Sequence, residues 1–410
     1  MASIAVIGAG FIGLSSASFL QRRGHDVTII DPLPPGTSTS YGNSGMLSVD
    51  GSIPMAMPGM LRNVPKWLRD PNGPLYVRPS YFPKALPWLI RWIIAGQMKN
   101  VRTASAALRS LHKNSVEPYR ELLGPRHFDS LVKLTGQIHL WDTPSMSLSE
   151  RIGAELRHEQ GIVTQPLSLQ ELQDLVPGIT PTIKRALLFP NNGNVVNPLR
   201  LSQTIAQLFT EAGGAFLNHR VLRVNPHEGG MRVLTNCLDL RFDKVVVAAG
   251  AWSQRLLAPL GYRIPLETER GYHMQLSGDT AGLRIPLLFR SRGFSAAPME
   301  MGLRLSGTVE FAGLESPPSD QRGEALLKQG KTLFPSLVWE DSKMWMGFRP
   351  SVPDSVPILD QSSMHPNLFL AFGHGHLGLT TGAVSGKLIA QLVCGETPSI
   401  DMRPYSLSRY

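Results

Sequence analysis

The chain has 410 residues, 42% of them hydrophobic and 17% charged, with a formal net charge of +9. That length predicts two domains rather than one small core, and 39 glycines with 33 prolines, under a fifth of the chain, exclude a low-complexity polypeptide. Two cysteines, Cys237 and Cys394, exclude a disulfide framework and a cysteine-rich metal site, and a positive balance without a nucleic-acid module or a long basic run points to anionic small molecules, not nucleic acid.

In chain order, residues 3–7 (SIAVI) read as a buried strand that enters a glycine turn directly, with no basic leader or cleavage site before it. Residues 11–23 read as a helix stopped by Gly24, and residues 26–30 (DVTII) as a second, parallel strand, which makes one βαβ unit. Gly8, Gly10 and Gly13 form a GxGxxG turn inside it. Gly8 permits the sharp exit from the strand, Gly10 lets backbone N–H groups approach a pyrophosphate, and Gly13 lets the helix pack against the sheet. The helix start, with Phe11 and Ile12, adds partial positive charge toward phosphates, and Asp31, about 18 residues beyond Gly13, is placed for ribose hydroxyls. Next, STSYGNSGMLS (38–48) collects small and amide residues: Ser40, Asn43, Ser44, Gly45 and Met46. Such a stretch suits either a backbone path close to a planar ring or an ordinary polar loop.

From about 53 to 195 the βα rhythm gives way to tryptophans, prolines and short helical stretches. LPWLIRWIIAG (86–96) is too short to span a bilayer. Its Trp88 and Trp92, four apart, form either an interfacial anchor or a stripe packed on a core. Residues 197–224 return to the rhythm, with Pro198 near a helix start, Gly213–Gly214 at its stop and a strand through Val221. DKVVVAAGAWS (243–253) is a buried strand running into a small-residue turn that carries Ala249, Gly250 and Trp252. Residues 262–346 alternate like antiparallel strands, and 367–393 read as strand, glycine turn (GHGHLG, 373–378) and helix.

The reading is therefore an α/β protein with a discontinuous dinucleotide-binding domain, 1–52, 196–261 and 347–410. An antiparallel-sheet α+β substrate domain, 53–195 and 262–346, is inserted in it. A contiguous nicotinamide-binding domain does not fit this interleaving; a flavin gripped by distant segments does. The N–H groups and helix dipole at 373–378 suit negative charge on the pyrimidine end of a reduced flavin. His374 there is either a flavin neighbour or a structural cap.

The pieces VIGAGFIGLSSASFLQRRGHDVTIID, TSYGNSGMLS, MPGMLRNVPKWLRDPNGPLYVRPSYFPKALPWLIRW, VVVAAGAWS, GFRPSVPDSVPILD and NLFLAFGHGHLGLTTGAVSGKLIA, in this order across nearly the whole chain, resemble the D-amino-acid oxidase-like (DAO) family of flavoproteins, above all its D-amino-acid dehydrogenase branch. The resemblance implies a Rossmann-like FAD domain of the glutathione-reductase type. It also implies non-covalent FAD held by Gly8, Gly10, Phe11, Ile12, Gly13, Asp31, Ser40, Asn43, Ser44, Gly45 and Met46, with Val221 by the adenine and Ala249, Gly250 and Trp252 near the phosphates. Arg349, Gly375, His376, Leu377, Gly378 and Thr380 complete that set. No metal is expected.

The family places an arginine of a GxRP…D motif, here Arg349, over the flavin, paired with the substrate carboxylate. A guanidinium forks onto a carboxylate bidentately; the alternative is a structural ion pair with Asp354. Tyr272 in ERGYHMQL is either a phenol donor to that carboxylate, a pocket wall or a core residue, and Arg290 in LLFRSRGF is a further candidate. The implied reaction is oxidative deamination of a D-amino acid, by hydride transfer from the α-carbon to flavin N5, with electrons passing to a quinone or a partner subunit rather than to oxygen. No His or Glu stands out as a base, so positioning carries the protein's share. The alternative substrates are N-substituted or cyclic amino acids (sarcosine, proline, D-hydroxyproline, an opine), oxidised by a dehydrogenase or oxidase that works either alone or as a subunit of a hetero-oligomer. The expected location is the cytoplasm, with peripheral contact at the inner face of the cell membrane through the 86–96 stripe.

Overall fold

The structure is a computed structural model that describes residues 1–60, 69, 73–278 and 282–410. Within the MPGML…RW piece quoted above, residues 61–68 and 70–72 lie outside the described residues. The elements used below are β1 (Ser3–Ile7), α1 (Phe11–Gln21), β2 (Asp26–Ile30), α2 (Phe82–Ala95), α3 (Met98–His112), α4 (Val116–Leu131), β3 (Gln137–Trp141), α5 (Leu148–Glu159), β4 (Arg185–Phe189), α6 (Pro198–Glu211), β5 (Ala215–Leu217) and β6 (Lys244–Val247). They continue with β7 (Glu267–Leu276), β8 (Leu287–Phe289), β9 (Phe294–Met299), β10 (Gly302–Phe311), α7 (Asp320–Leu333), β11 (Ser342–Ser351), β12 (Ile358–Gln361), β13 (Leu368–Phe372) and α8 (Gly378–Val393).

The first sheet runs β5-β2-β1-β6-β13-β12, parallel except for the edge strand β12. Alternate residues of its central strands enter opposite cores. Ile4, Val6, Ile29, Val246 and Phe369 pack under the helices; Ala5, Ile7, Ile30, Val245 and Leu370 pack under a three-stranded sheet that includes Val224, Met231 and Val233. Burial on both faces explains why SIAVI and KVVV are unbroken apolar runs. Helices α1 and α8 meet closely at Gly386, where a Cβ would lie 2.6 Å from Ser15.

The second sheet has nine strands. Its main path is β11-β7-β10-β9-β8-β3-β4 and then the strand Gln165–Leu167; Leu75–Val77 pairs off that path with β10. One face packs on α7, with Tyr272, Met274, Leu276, Leu326 and Leu333 in a common core.

Two features depart from the expected segmentation. Helices α3 and α4 fall in the 53–195 stretch, yet Leu108, Leu111, Tyr119 and Leu122 pack in the dinucleotide-side core with Phe11, Leu14 and Leu379, and the Tyr119 hydroxyl donates to the Leu379 carbonyl at 2.5 Å. An amphipathic pattern states that a helix packs, not what it packs on. Strand β11 also crosses the expected boundary at 346/347, because it pairs with β7 over its whole length, from Ser342 opposite Leu276 to Ser351 opposite Glu267.

Candidate active site

A cavity of about 1110 Å³ is lined by residues of both sheets. At one end the wall is the glycine turn. Gly8 has φ +112°, and a Cβ there would stand 2.4 Å from the Ala248 carbonyl oxygen; a Cβ on Gly13 would stand 1.8 Å from the Gly8 carbonyl oxygen. These contacts are with main chain, which has no room to move, so only glycine fits. Gly10 approaches only the Ser40 hydroxyl, which accepts the Phe11 N–H at 3.1 Å. No acidic side chain sits in the first turn of α1, so its positive end is left for a ligand anion. Asp31 accepts the Ala9 and Leu33 N–H groups, one on each oxygen at 2.8 Å, and burial raises its pKa against those two bonds. Each oxygen keeps a lone pair for a hydroxyl. A cradle that excludes Cβ atoms, opens a helix and ends in a buried acid fits the dinucleotide of a flavin.

Ser40, Asn43, Ser44, Met46, Val221, Ala249, Gly250 and Trp252 continue the wall, with Phe11, Ile12, Gly375, His376, Leu377 and Gly378. Gly13, Gly45 and Thr380 stand behind it. Thr380 accepts the Ser48 N–H at 3.0 Å and donates to the Met46 carbonyl, while Gly45 (φ +74°) packs on the Val195 carbonyl. The loop at 38–48 is tied to the second sheet by two residues absent from the sequence reading. Arg304 donates to the Tyr41 and Asn43 carbonyls at 3.0 and 2.7 Å. The Trp345 ring fills the space where Gly42 and Gly347 lack a Cβ, and it stacks on His273 at 5.2 Å.

Arg349 projects from β11 into the cavity, crosses β7 where Gly271 leaves room, and donates to the Thr308 carbonyl on β10 at 2.9 Å. A Cβ on Gly271 would lie 2.1 Å from the guanidinium. Thr308 sits at an irregularity in the β7–β10 pairing, with φ 59°. A β-branched residue in that region is strained by about 1–3 kcal/mol, a cost met at sites where geometry matters. Asp354 does not pair with Arg349; it is taken by Arg409 at 2.8 Å.

Directly across the strand pair from Arg349 is Glu269, whose carboxylate meets His376 Nε2 at 2.7 Å. Burial works to raise the Glu269 pKa, but His376 and Arg349 outweigh it and the carboxyl stays below its ordinary value. Glu269 was missed because ETERGYHMQL reads as a strand with nothing to mark one of its two acids.

Tyr272 borders the cavity, but its hydroxyl donates to Glu310 at 2.7 Å and accepts the Ser319 N–H at 3.1 Å. Its contribution to the site is therefore the ring, not a phenol donor. His374 lines the cavity and is buried, its Nε2 on the Ser385 hydroxyl at 3.0 Å; burial, then nearby His112, lower its pKa to about 3, so the ring is neutral. Arg290, directly after β8 in the interior of the second sheet, lines the same cavity.

Trp88 and Trp92 turn inward and pack with Phe311, which makes them core. The opposite face of α2 presents Leu86, Ile90 and Ile94, 40–50% exposed, beside exposed Lys84 and Arg91. Among the described residues no helix is long and apolar enough to cross a membrane, and no cluster of metal ligands occurs.

The family model for FAD dependent oxidoreductases (DAO) matches residues 3–392. The chain is 35% identical to a D-amino-acid oxidase of Bradyrhizobium diazoefficiens over 99% of this chain and 98% of that protein. It is 27% identical to a D-amino acid dehydrogenase of Vibrio vulnificus over 95% of each. Its fold is similar to that of glycine oxidase from Geobacillus kaustophilus, with a TM-score of 0.73 at 22% identity over 100% of this chain and 99% of the other. The chain belongs to the FAD dependent oxidoreductase family and is an FAD-dependent amino-acid-oxidising enzyme.

Proposed function

We propose, from that membership, that the enzyme oxidises the carbon–nitrogen bond of a D-amino acid beside its carboxylate, giving an imino acid that water hydrolyses to a 2-oxo acid and ammonia. The observation that carries this reading is Arg349. Its guanidinium stands in the cavity on a backbone carbonyl; Glu269, opposite it on β7, acts on it only at a distance and is itself bonded to His376, and no described carboxylate is in salt-bridge contact with Arg349, so its fork is available to an acid. FAD, held non-covalently along the glycine turn and the 373–378 helix start, supplies the acceptor of the two electrons. The chain's own residues do the rest. Arg349 fixes the substrate carboxylate, and Thr308 and Gly271 fix Arg349. His376, partly exposed and braced by Glu269, lines the same cavity.

We assign the onward electrons to a quinone or another non-oxygen carrier reached at the membrane surface. The dehydrogenase relatives and the exposed Leu86, Ile90 and Ile94 face with its flanking cations support this. The oxidase named among the relatives supports a second reading, direct use of oxygen.

Anaerobic addition of D-amino acids to the yellow holoenzyme should bleach its visible absorption while L-enantiomers do not. A panel that also holds D-proline, cis-4-hydroxy-D-proline and sarcosine separates the N-substituted and cyclic alternatives. A protein that no amino acid bleaches overturns the reading. A dye assay run beside an oxygen electrode decides the acceptor: fast peroxide release with poor dye reduction selects the oxidase reading.

A further inference from the structure

We infer that the cavity holds a second carboxylate site, formed by Arg157 and Arg290, and that the preferred substrates are amino acids bearing a second carboxylate. This rests on the reading that Arg349 takes the first.

Arg290 follows β8 directly, and its N–H donates to the Leu140 carbonyl on β3 at 2.9 Å, which fixes where its side chain leaves the sheet. Arg157, in the last turn of α5, places its guanidinium 5.7 Å from the Phe189 ring, and that ring lies 4.2 Å from His139. Arg157, Phe189, His139 and Arg290 all line the cavity. Neighbouring arginines are satisfied by protein: Arg185 by Glu150 at 3.3 Å and Arg292 by Asp142 at 2.8 Å. Arg157 and Arg290 have no side-chain hydrogen bond or ion pair to a described residue. Glu150, the acid lining this end, is held by Arg185 and by the Ser147 N–H at 2.6 Å in the cap of α5. Two cations therefore share one lobe with a single, already committed carboxylate.

Arg290 keeps much of its surface accessible and yet lies deep in the protein; both hold because its open side is the cavity. The excess charge acts on its surroundings. Burial, then Arg290, lower Arg157 to about 10, and burial lowers Arg290 itself. Burial, then Arg290 and Arg157, hold His139 well below its usual value, so it adds no third charge. Like charges in a recess are unfavourable unless an anion offsets them, and a pocket for a neutral side chain has no use for them.

The register relates this lobe to the first carboxylate site. Gly307, Phe294 and Phe289 form one line across β10, β9 and β8. Thr308, which holds Arg349, and Arg290 each lie one residue beyond that line, and β10 and β8 run in the same direction, since each is antiparallel to β9. The two anchoring points are thus separated by two strand spacings, about 10 Å. That is the scale of one small molecule held at both ends.

The test compares isosteric pairs on the holoenzyme: D-glutamate against D-glutamine, for a second carboxylate on the side chain, and iminodiacetate against its monoamide, N-(carbamoylmethyl)glycine, for one on the nitrogen. The diacid of at least one pair should have a kcat/KM about 10- to 100-fold above its neutral counterpart, and the winning pair tells where the second carboxylate sits. In Arg290→Gln and in Arg157→Gln that ratio should fall at least tenfold; as a ratio within one variant, it is insensitive to partial misfolding. A readout independent of turnover is perturbation of the flavin spectrum by glutarate, which should bind more tightly than butyrate in the parent and not in the variants. Equal or better use of the neutral member in both pairs, or a diacid preference that survives both substitutions, overturns the second site. Bleaching by neutral D-amino acids alone sinks only this inference, whereas no bleaching by any amino acid sinks the oxidation reading as well.

Discussion

The two ends of the cavity are built of different material. At the glycine-turn end the wall is main chain: Gly8 against Ala248, Gly13 against the Gly8 carbonyl, and the first turn of α1. At the arginine end it is side chains brought from separate strands and a helix, with Arg349 from β11 resting on β10, Glu269 on β7, Arg290 after β8 and Arg157 on α5. Main chain tolerates no added atom, so the first end accepts one type of residue at each key position. The second end depends on which side chains the strand register brings together, and it is tunable without disturbing the fold.

The contrast breaks most sharply at Gly13. Gly13→Val sets a side chain against a carbonyl oxygen that cannot retreat; α1 loses its seat on the sheet, at about 3 kcal/mol or more by overpacking. The purified protein should be colourless and lower in melting temperature, and a fully yellow variant would contradict the cradle. Next in size is Arg349→Lys, which keeps the charge and removes the fork. KM for the amino acid should rise about 100-fold, the scale of a lost charge-assisted bond, with FAD content unchanged by absorbance. Gly271→Ala probes the same end more gently. The atoms nearest its Cβ belong to the tip of the Arg349 side chain, which can swing aside, so KM should rise about tenfold while the melting temperature barely moves.

A smaller effect concerns the buried histidines behind both ends. Burial first of all lowers His112 to about 4, and His273 and His374 to about 3, against an ordinary value of 6.5. In the unfolded chain they take up protons below pH 6.5; in the folded protein they stay neutral. Stability is therefore complete above pH 6.5 and falls as pH drops from there toward 4, before the carboxylates titrate. Urea midpoints measured between pH 7 and 4.5 should decline in the parent and more shallowly in His374→Asn. The smallest change is Thr308→Gly, which removes the φ 59° strain and should raise stability by up to about 1 kcal/mol with the Arg349 contact kept, since the acceptor is a backbone carbonyl. An unchanged or lower melting temperature would show that Thr308 carries no such strain.

The glycine-turn end was legible because its logic is local. Gly8, Gly10, Gly13 and Asp31 sit within one βαβ unit, and glycine spacing encodes backbone approach directly. Arg349 and the 373–378 turn were legible by their motifs. Their partners were not. Nothing in ETERGYHMQL separates Glu269 from Glu267, yet Glu269 lies opposite Arg349 and bonds His376 while Glu267 meets Tyr81. Tyr272 sits one position from the wall-forming Gly271, and strand alternation sends its hydroxyl to Glu310 instead of toward a substrate. The tryptophans of α2 were legible as an apolar face, but the side of the helix that stays uncovered, Leu86, Ile90 and Ile94, depended on where Phe311 lies.

By itself the amino-acid order determined the α/β sheet and the dinucleotide cradle, because glycine spacing within one βαβ unit encodes backbone approach, while Arg349 stood out only through the resemblance of its GFRPSVPD motif to a family. Only the tertiary structure decided what surrounds that arginine, the irregularity at Thr308 and the Glu269–His376 pair, and that Arg157 and Arg290 line the same cavity. Those neighbours come from strands and a helix distant in sequence, joined by antiparallel register and by the burial of α7 against one face of the sheet, and local periodicity does not contain that information.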